Sequence, residues 1–286
     1  MKYSSAAAIP LVKSVLHPTD FSPSSERAFA HALAIALLRQ TDFTILHVTP
    51  KGRSAVQWTR FPAVRETLTR WGLLEAGSPQ SAVFDEFQVR VRKTAIRSRH
   101  PVLATARFLN HEAADLVVLA TEGREGPSRW LNRSDAEAMA RWSRTMTLFV
   151  PGGATRGFVS LADGDLNLHN VLVPVDQEPD CAAALEFARR AAEIIGDGNV
   201  KITLLYVGDS QPPNPALIDG PRWAWHREHR RGDPVTQILS AADRHTADLI
   251  VMATSGQDSV LDALRGNTTE QVLRRAPCPL LAVPAA

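Results

Sequence analysis

The stretch VMATSGQDSVLDALRGNTTE, Val251 to Glu270, sets the reading of this chain. It opens with an apolar run, breaks at Gly256, and meets a second glycine, Gly266, just before Asn267-Thr268-Thr269-Glu270. A short Val/Ile/Met run followed by glycine and then by cap-forming residues describes a strand, a loop and the start of a helix. Glycine lets backbone N–H groups approach an anion, and a helix N-terminus favours negative charge, so the loop is a candidate phosphate site. A second reading uses the same residues: Asn267 to Glu270 and Thr268 to Gln271 both fit a capping box, which satisfies only the helix's own N–H groups.

The stretch has a counterpart earlier in the chain. ADLIVMATSG (247–256) parallels ADLVVLATEG (114–123), and CPLLAVP (278–284) parallels TMTLFVP (145–151), both at an offset of 133. Further upstream, NVLVPVDQE (170–178) matches SVLHPTDFS (14–22), and ITLLYV (202–207) matches FTILHV (43–48). Four matched segments in one order are an internal duplication. Each unit reads strand, helix, strand, a further segment, strand, helix, strand, glycine loop, helix, strand. The strands are short Val/Ile/Leu runs suited to burial on both faces of a parallel sheet, and the intervening helices make a doubly wound α/β layer. Ser22-Pro23 fits an N-cap with proline at the first helical position, leading into ERAFAHALAIALL (26–38).

The units differ between the second strand and the ADL strand, where the first is 26 residues longer. RFPAVRETLTRWGLLEAG (60–77) suggests an added helix, whereas GDSQPPNPALIDGP (208–221), with four prolines, suggests a loop. RVRKTAIRSR (90–99) reads as a solvated edge strand. The turn-rich 151–170 stretch carries Phe158, Val159 and Leu161, and reads as a small hairpin packed on the units.

Composition narrows the function. The 286 residues contain 44% hydrophobic side chains, enough for two cores, and no run of 18 apolar residues. The two cysteines, Cys181 and Cys278, form no CxxC or Cys/His cluster, and a reducing cytoplasmic setting is the expectation. Residues 1–150 hold 20 Lys and Arg against 13 Asp and Glu, and the remainder 12 against 17. That asymmetry suits docking of the halves or attraction of an anion to the first. Without basic runs interleaved with aromatics, nucleic acid is not an expected partner. His226 and His229, three apart on an expected strand, would face opposite sides and not share a metal. Trp223 and Trp225 share a face and read as packing. Gly-x4-Gly-Lys-Ser/Thr is absent, and no Ser/His/Asp arrangement supports catalysis.

The strand ending in Pro-x-Asp, ADLIVMATSG, and RGNTTEQVLRRAPCPLLAVP together resemble the universal stress proteins, as a tandem member. The resemblance covers nearly the whole chain apart from 49–86 and 151–169. It implies two tandem doubly wound, five-stranded, Rossmann-like α/β domains packed as a pseudo-dimer through TLFV (147–150) and LLAV (280–283). The expected divisions are 1–151, a connector at 152–169, and 170–286. ATP-binding members carry Gly-x2-Gly-x9-Gly-Ser/Thr. The second unit offers Ala253, Gly256, Gly266 and Asn267 at that spacing; the first offers Ala120, Gly123, Arg133 and Ser134.

The resemblance further implies that Pro174, Val175 and Asp176 face adenine and ribose, that Val207 meets the adenine, that Met252, Ala253, Ser255 and Gly256 form a wall, and that Gly266, Asn267, Thr268 and Thr269 take phosphates. The first-unit counterparts are Pro18, Thr19, Asp20, Val48, Gly123, Arg133 and Ser134. There Arg133 adds bulk, and Asp135 puts a carboxylate where a phosphate would sit. The expectation is ATP or another adenine nucleotide, with Mg as the one metal it could bring. The ligand would occupy the second unit and act through binding, without enzymatic turnover. The alternative is a protein-interaction module with both sites decayed. A homodimer and an unidentified protein partner stay open; a membrane partner is not expected.

Overall fold

The computed structural model describes residues 12–49, 58, 63–121, 145–196, 198–218, 220–254 and 268–285. The first unit contributes β1 (Ser14–Thr19), α1 (Pro23–Arg39), β2 (Asp42–Thr49), α2 (Val64–Arg70), α3 (Ala82–Phe87), β3 (Val91–Arg97), α4 (Pro101–His111), β4 (Leu116–Ala120) and β5 (Met146–Val150). The second contributes β6 (Asn170–Val175), α5 (Ala182–Ile195), β7 (Val200–Val207), β8 (Trp223–Arg230), α6 (Pro234–Arg244), β9 (Leu249–Thr254), α7 (Thr268–Arg275) and β10 (Leu280–Pro284).

The ten strands among the described residues form one sheet in the order β3-β2-β1-β4-β5-β10-β9-β6-β7-β8. Within each half every pairing is parallel. The halves meet where β5 and β10 pair antiparallel, with Leu280 opposite Phe149, Leu281 opposite Leu148 and Ala282 opposite Thr147. These are the two strands expected to carry the pseudo-dimer. Paired with each other, they leave no apolar edge in water. The outer edges, β3 and β8, carry alternating polar residues instead.

Alternation along each strand divides the core into two layers. On the first face, Val15, Leu148, Val173, Val251 and Leu281 pack with Phe29 and Leu33 of α1 and Ala184 and Ala188 of α5. On the second face, Leu16, Phe149, Leu172, Ile250 and Leu280 pack with Leu109 of α4, Ile238 of α6 and Val272 of α7. Both layers run unbroken across the β5–β10 joint.

Ser22 occupies the N-cap of α1 and Pro23 begins the helix, yet the Ser22 side chain makes no capping bond to the backbone. Its hydroxyl lies 2.9 Å from that of Ser24. The 60–77 segment supplies α2, 91–97 forms the solvated edge strand, and 208–218 is irregular, as the sequence suggests. Helix α3 has no counterpart in the sequence reading; six residues are too few to show helical periodicity.

The connector does fold back as a hairpin. Asn167 N–H donates to the Phe158 carbonyl and Ser160 N–H to that of Asp165, around a Val159–Leu166 bridge. It touches both units. Trp71 donates its indole N–H to Leu161 O at 3.2 Å, and Gly164, at φ +73°, sits so close that a Cβ there would lie 2.5 Å from the Trp71 ring. The backbone N–H groups of Thr155 and Arg156 both donate to Pro277 O. Phe158 meets the His31 ring edge-on at 4.9 Å.

His17 and His31 lie wholly inside the first-face layer. Burial pushes each imidazole down from 6.5 to about 4, against hydrogen bonds to Val118 O and Arg27 O that favour the charged form. Between those two pH values the unfolded chain binds more protons than the folded one, so stability is lost as pH falls from about 6.5 to about 4. The loss per histidine is of order 3 kcal/mol, at about 1.36 kcal/mol per pH unit. His31 Nε2 has no hydrogen-bond partner among the described residues. His31→Leu is therefore expected to flatten part of the acid-side slope in urea denaturations at pH 8, 6.5 and 5, while costing little at pH 8. An unchanged slope would mean that His31 titrates alike in both states.

The shared layers also predict that the chain unfolds in one transition. Leu281→Ala, at a site 2% exposed in the joint, should lower its free energy by about 2–5 kcal/mol. Ile218→Ala, at a site 69% exposed, should stay within about 0.5 kcal/mol. Two separate transitions in the native chain would show that the halves fold independently.

Candidate functional site

In an open α/β sheet ligands collect beyond the carboxyl ends of the strands, where the strand order reverses. In the second unit that place lies above β6 and β9, whose following helices, α5 and α7, pack on opposite faces. Val175, the last residue of β6, is buried in the first-face layer, so its neighbours Pro174 and Asp176 belong to the second face. Val207 ends β7 and packs on that same second-face layer. Met252 and Ala253 lie near the end of β9, the former buried and the latter half-buried. Thr268 and Thr269 open α7, with Thr269 buried. Thus Pro174, Val175, Asp176, Val207, Met252, Ala253, Thr268 and Thr269 are all found at strand ends or at a helix start. Ser255, Gly256, Gly266 and Asn267 lie outside the described residues, as do Gly123, Arg133 and Ser134 of the first unit.

The two aspartates sit alike in the fold but are used differently. In the first unit Asp20 Oδ1 accepts from Ser22 N–H at 2.9 Å and from the Ser25 hydroxyl at 2.8 Å, so the carboxylate ties down the entry to α1. The preceding Thr19 is equally engaged: its hydroxyl accepts from Phe21 N–H, and His47 Nδ1 donates to its carbonyl at 2.7 Å. Phe21, at φ +60°, stacks on His47 with ring centroids 4.1 Å apart. Pro18 is buried and Val48 half-buried.

In the second unit Asp176 is exposed, and its Oδ1 accepts from the adjacent Gln177 N–H at 2.7 Å. Gln177 in turn donates to Gln211 O at 3.0 Å, which ties the end of β6 to the loop after β7. Neither serine of the first unit has a counterpart at the matching positions, Glu178 and Cys181.

A polar cluster that the sequence reading missed flanks this edge on the second face. Glu228 of β8 accepts from His245 Nε2 and from Arg230 Nε, each at 2.6 Å, and from Arg244 at 3.4 Å. Burial by itself would raise the Glu228 carboxyl; the His245 and Arg230 hydrogen bonds and charges outweigh that and hold it below the ordinary range. The available signal was the position of Arg230, a cation ending a strand whose neighbour ends in Val207.

Other candidates resolve as structural. Trp223 and Trp225 both donate their indole N–H to Ile218 O at 3.0 Å. His226 lies by His245, and His229 by Tyr206 on the opposite face. Among the described residues no group of His, Cys, Asp and Glu could hold a metal, and no helix is long and apolar enough to cross a membrane. Cys278 is fully buried, and desolvation pushes its thiol up to about 12, which makes it a packing residue and not a nucleophile.

Comparison with known proteins agrees with this architecture. The model of the universal stress protein family matches residues 12–151 and 223–284. A universal stress protein of Methanocaldococcus jannaschii is 40% identical over 58 residues, which is 20% of this chain and 34% of that protein. Another, from Thermus aquaticus, is 43% identical over 53 residues, 18% of this chain and 39% of its own length. The chain thus spans little more than a third of the curated relatives it matches. A solved universal stress protein from Archaeoglobus fulgidus shares the fold over 96% of this chain and 99% of its own, with a TM-score of 0.58 and 17% identity. With the family model matching most of its length and the sheet order repeated in both halves, the chain belongs to the universal stress protein family.

Proposed function

We propose that this chain is a stress-response protein that binds ATP or a related adenine nucleotide at the carboxyl edge of its second unit, and that it works by binding and not by turnover. The observation that carries this reading is the contrast between the aspartates. Both carboxylates are exposed, but Asp20 Oδ1 accepts from Ser22 N–H and from the Ser25 hydroxyl, while Asp176 takes only its neighbour's N–H among the described residues. A carboxylate in that state can accept from the two ribose hydroxyls. Pro174, Val175 and Val207 would border the base. Met252, Ala253, Ser255 and Gly256 would form the wall, and Gly266, Asn267, Thr268 and Thr269 would donate to phosphates.

The first unit, within 1–151, would serve as the fixed half of the pseudo-dimer. Residues 152–169 would be the connector and 170–286 the binding unit. Asp176 is read as an acceptor that orients the ligand and not as a general base, and binding is the proposed activity. Any Mg would arrive with the nucleotide. The reading places the protein in the cytoplasm, with its partners set by the nucleotide state.

ATP should raise the melting temperature of the native chain through linkage to the folded state. Asp176→Ala should remove most of that rise and Asp20→Ala little of it; equal losses would mean the site is assigned to the wrong unit. Gly266→Ala separates phosphate binding from simple chain turning. It should weaken ATP by about 1–3 kcal/mol, the scale of a lost hydrogen bond to a charged group, and leave adenosine unchanged in calorimetric titration. Unchanged ATP affinity would favour the capping-box reading of Asn267 to Glu270.

A further inference from the structure

Arg230 is the last residue of β8, and it sits in register with Val207, the last residue of β7. Val175 of β6 faces Tyr206, so Asp176, Val207 and Arg230 make one row across three neighbouring strand ends, on the second face of the sheet. Strands lie about 4.8 Å apart, which sets the row within the span of a nucleoside. The phosphate-side elements, β9 and α7, lie beyond β6, so Arg230 is at the opposite end of the row, where the base would be.

The Arg230 side chain is 8% exposed. Its Nε donates to Glu228 and its Nη1 to Gln237 O at 3.2 Å. Its Nη2 is buried and has no hydrogen-bond partner among the described residues. Buried donors on a charged group are rarely left unpaired, because the lost hydration is not replaced. The Glu228 anchor fixes the guanidinium plane, so the remaining N–H groups have a set direction. In the first unit the same row reads Asp20, Val48 and Ile96, and Ile96 is an apolar packing residue with nothing to donate. In this row the guanidinium therefore belongs only to the half whose aspartate is not bonded to a helix-start hydroxyl.

We infer that Arg230 reads the base of the bound nucleotide, its Nη2 donating to a ring nitrogen of the purine. This rests on the adenine-nucleotide reading of the second unit and adds to it the group that recognises the base. A guanidinium has donors only, so the atom it meets must be an acceptor; N1, N3 and N7 are the acceptors of an adenine ring.

The test uses the full chain in calorimetric titrations with ATP and with its 1-deaza, 3-deaza and 7-deaza analogues, on the native protein and on Arg230→Lys. Lysine keeps a cation beside Glu228 and removes Nη2; circular dichroism and melting check that the variant folds. One analogue should bind the native chain about tenfold more weakly than ATP. The variant should bind ATP about tenfold more weakly and no longer distinguish that analogue. If all three analogues match ATP on the native chain, or if the variant keeps ATP affinity or the same discrimination, the inference is overturned and the unpaired N–H belongs to the fold or to a buried water. The native titrations alone can overturn the inference even if the variant fails to fold. No ATP binding by the native chain would remove the nucleotide reading itself, whereas intact binding indifferent to Arg230 and to the deaza positions removes only this inference.

Discussion

The antiparallel pairing of β5 with β10 is the constraint on which the rest of this architecture depends. Every other pairing in the sheet is parallel and stays within one half. Because parallel strands are reached through crossover helices, each half covers both faces of its own sheet and would end in an apolar strand at an open edge. Joining those two edges antiparallel closes both at once. It also turns the halves half a revolution apart in the plane of the sheet, so their carboxyl edges, and any ligand sites there, open in opposite directions. Two sites so placed are free to diverge, since neither shares a wall with the other.

The divergence visible at the strand ends has a local physical origin. Ser25 gives the Asp20 carboxylate a hydroxyl donor five residues on, beside the Ser22 backbone N–H, and the carboxylate takes both. At the position matching Ser25 stands Cys181, which offers no hydroxyl. Asp20 is thereby tied to the start of α1, whereas Asp176, equally exposed, bonds only its neighbour's N–H among the described residues. At the far end of the row, Ile96 and Arg230 show the same split. Two positions changed together in one direction are what a working half and a supporting half would look like.

The backbone plan was legible in the sequence because it rests on local signals. Short Val/Ile/Leu runs, Pro-x-Asp turns and the repeat offsets place the ten strands, and the solvated pattern of 91–97 marks an edge. The joint of 147–150 with 280–283 follows from the apolar character of both strands. What stayed hidden depends on partners distant in the chain. The connector can be read as a hairpin, but its seat under Trp71 and against His31 involves residues about 90 and 130 positions away. The Glu228–His245 pair spans 17 residues and joins an edge strand to a helix, a separation with no sequence periodicity. The commitment of Asp20 to Ser25 was within reach, as both lie in one turn-and-cap segment, but acid-at-strand-end patterns do not say which acceptors are already taken.

Glu228 shows how the fold and the proposed site are coupled. A carboxylate at this depth needs cations or donors to remain ionised, and it has two arginines and the His245 hydrogen bond. Arg230 is the one among them that also reaches the carboxyl edge. Were Glu228 absent, a guanidinium 8% exposed would carry a buried charge without a counter-ion, at a cost that favours swinging the side chain out to water. The edge-strand carboxylate thus holds a cation in place that the row of strand ends can use. The His245 and Arg244 contacts then keep Glu228 ionised whether or not Arg230 has a second acceptor. A donor supported this way is set before any ligand arrives, so binding need not organise it, and rigid placement is what discrimination between acceptor positions on a flat ring requires.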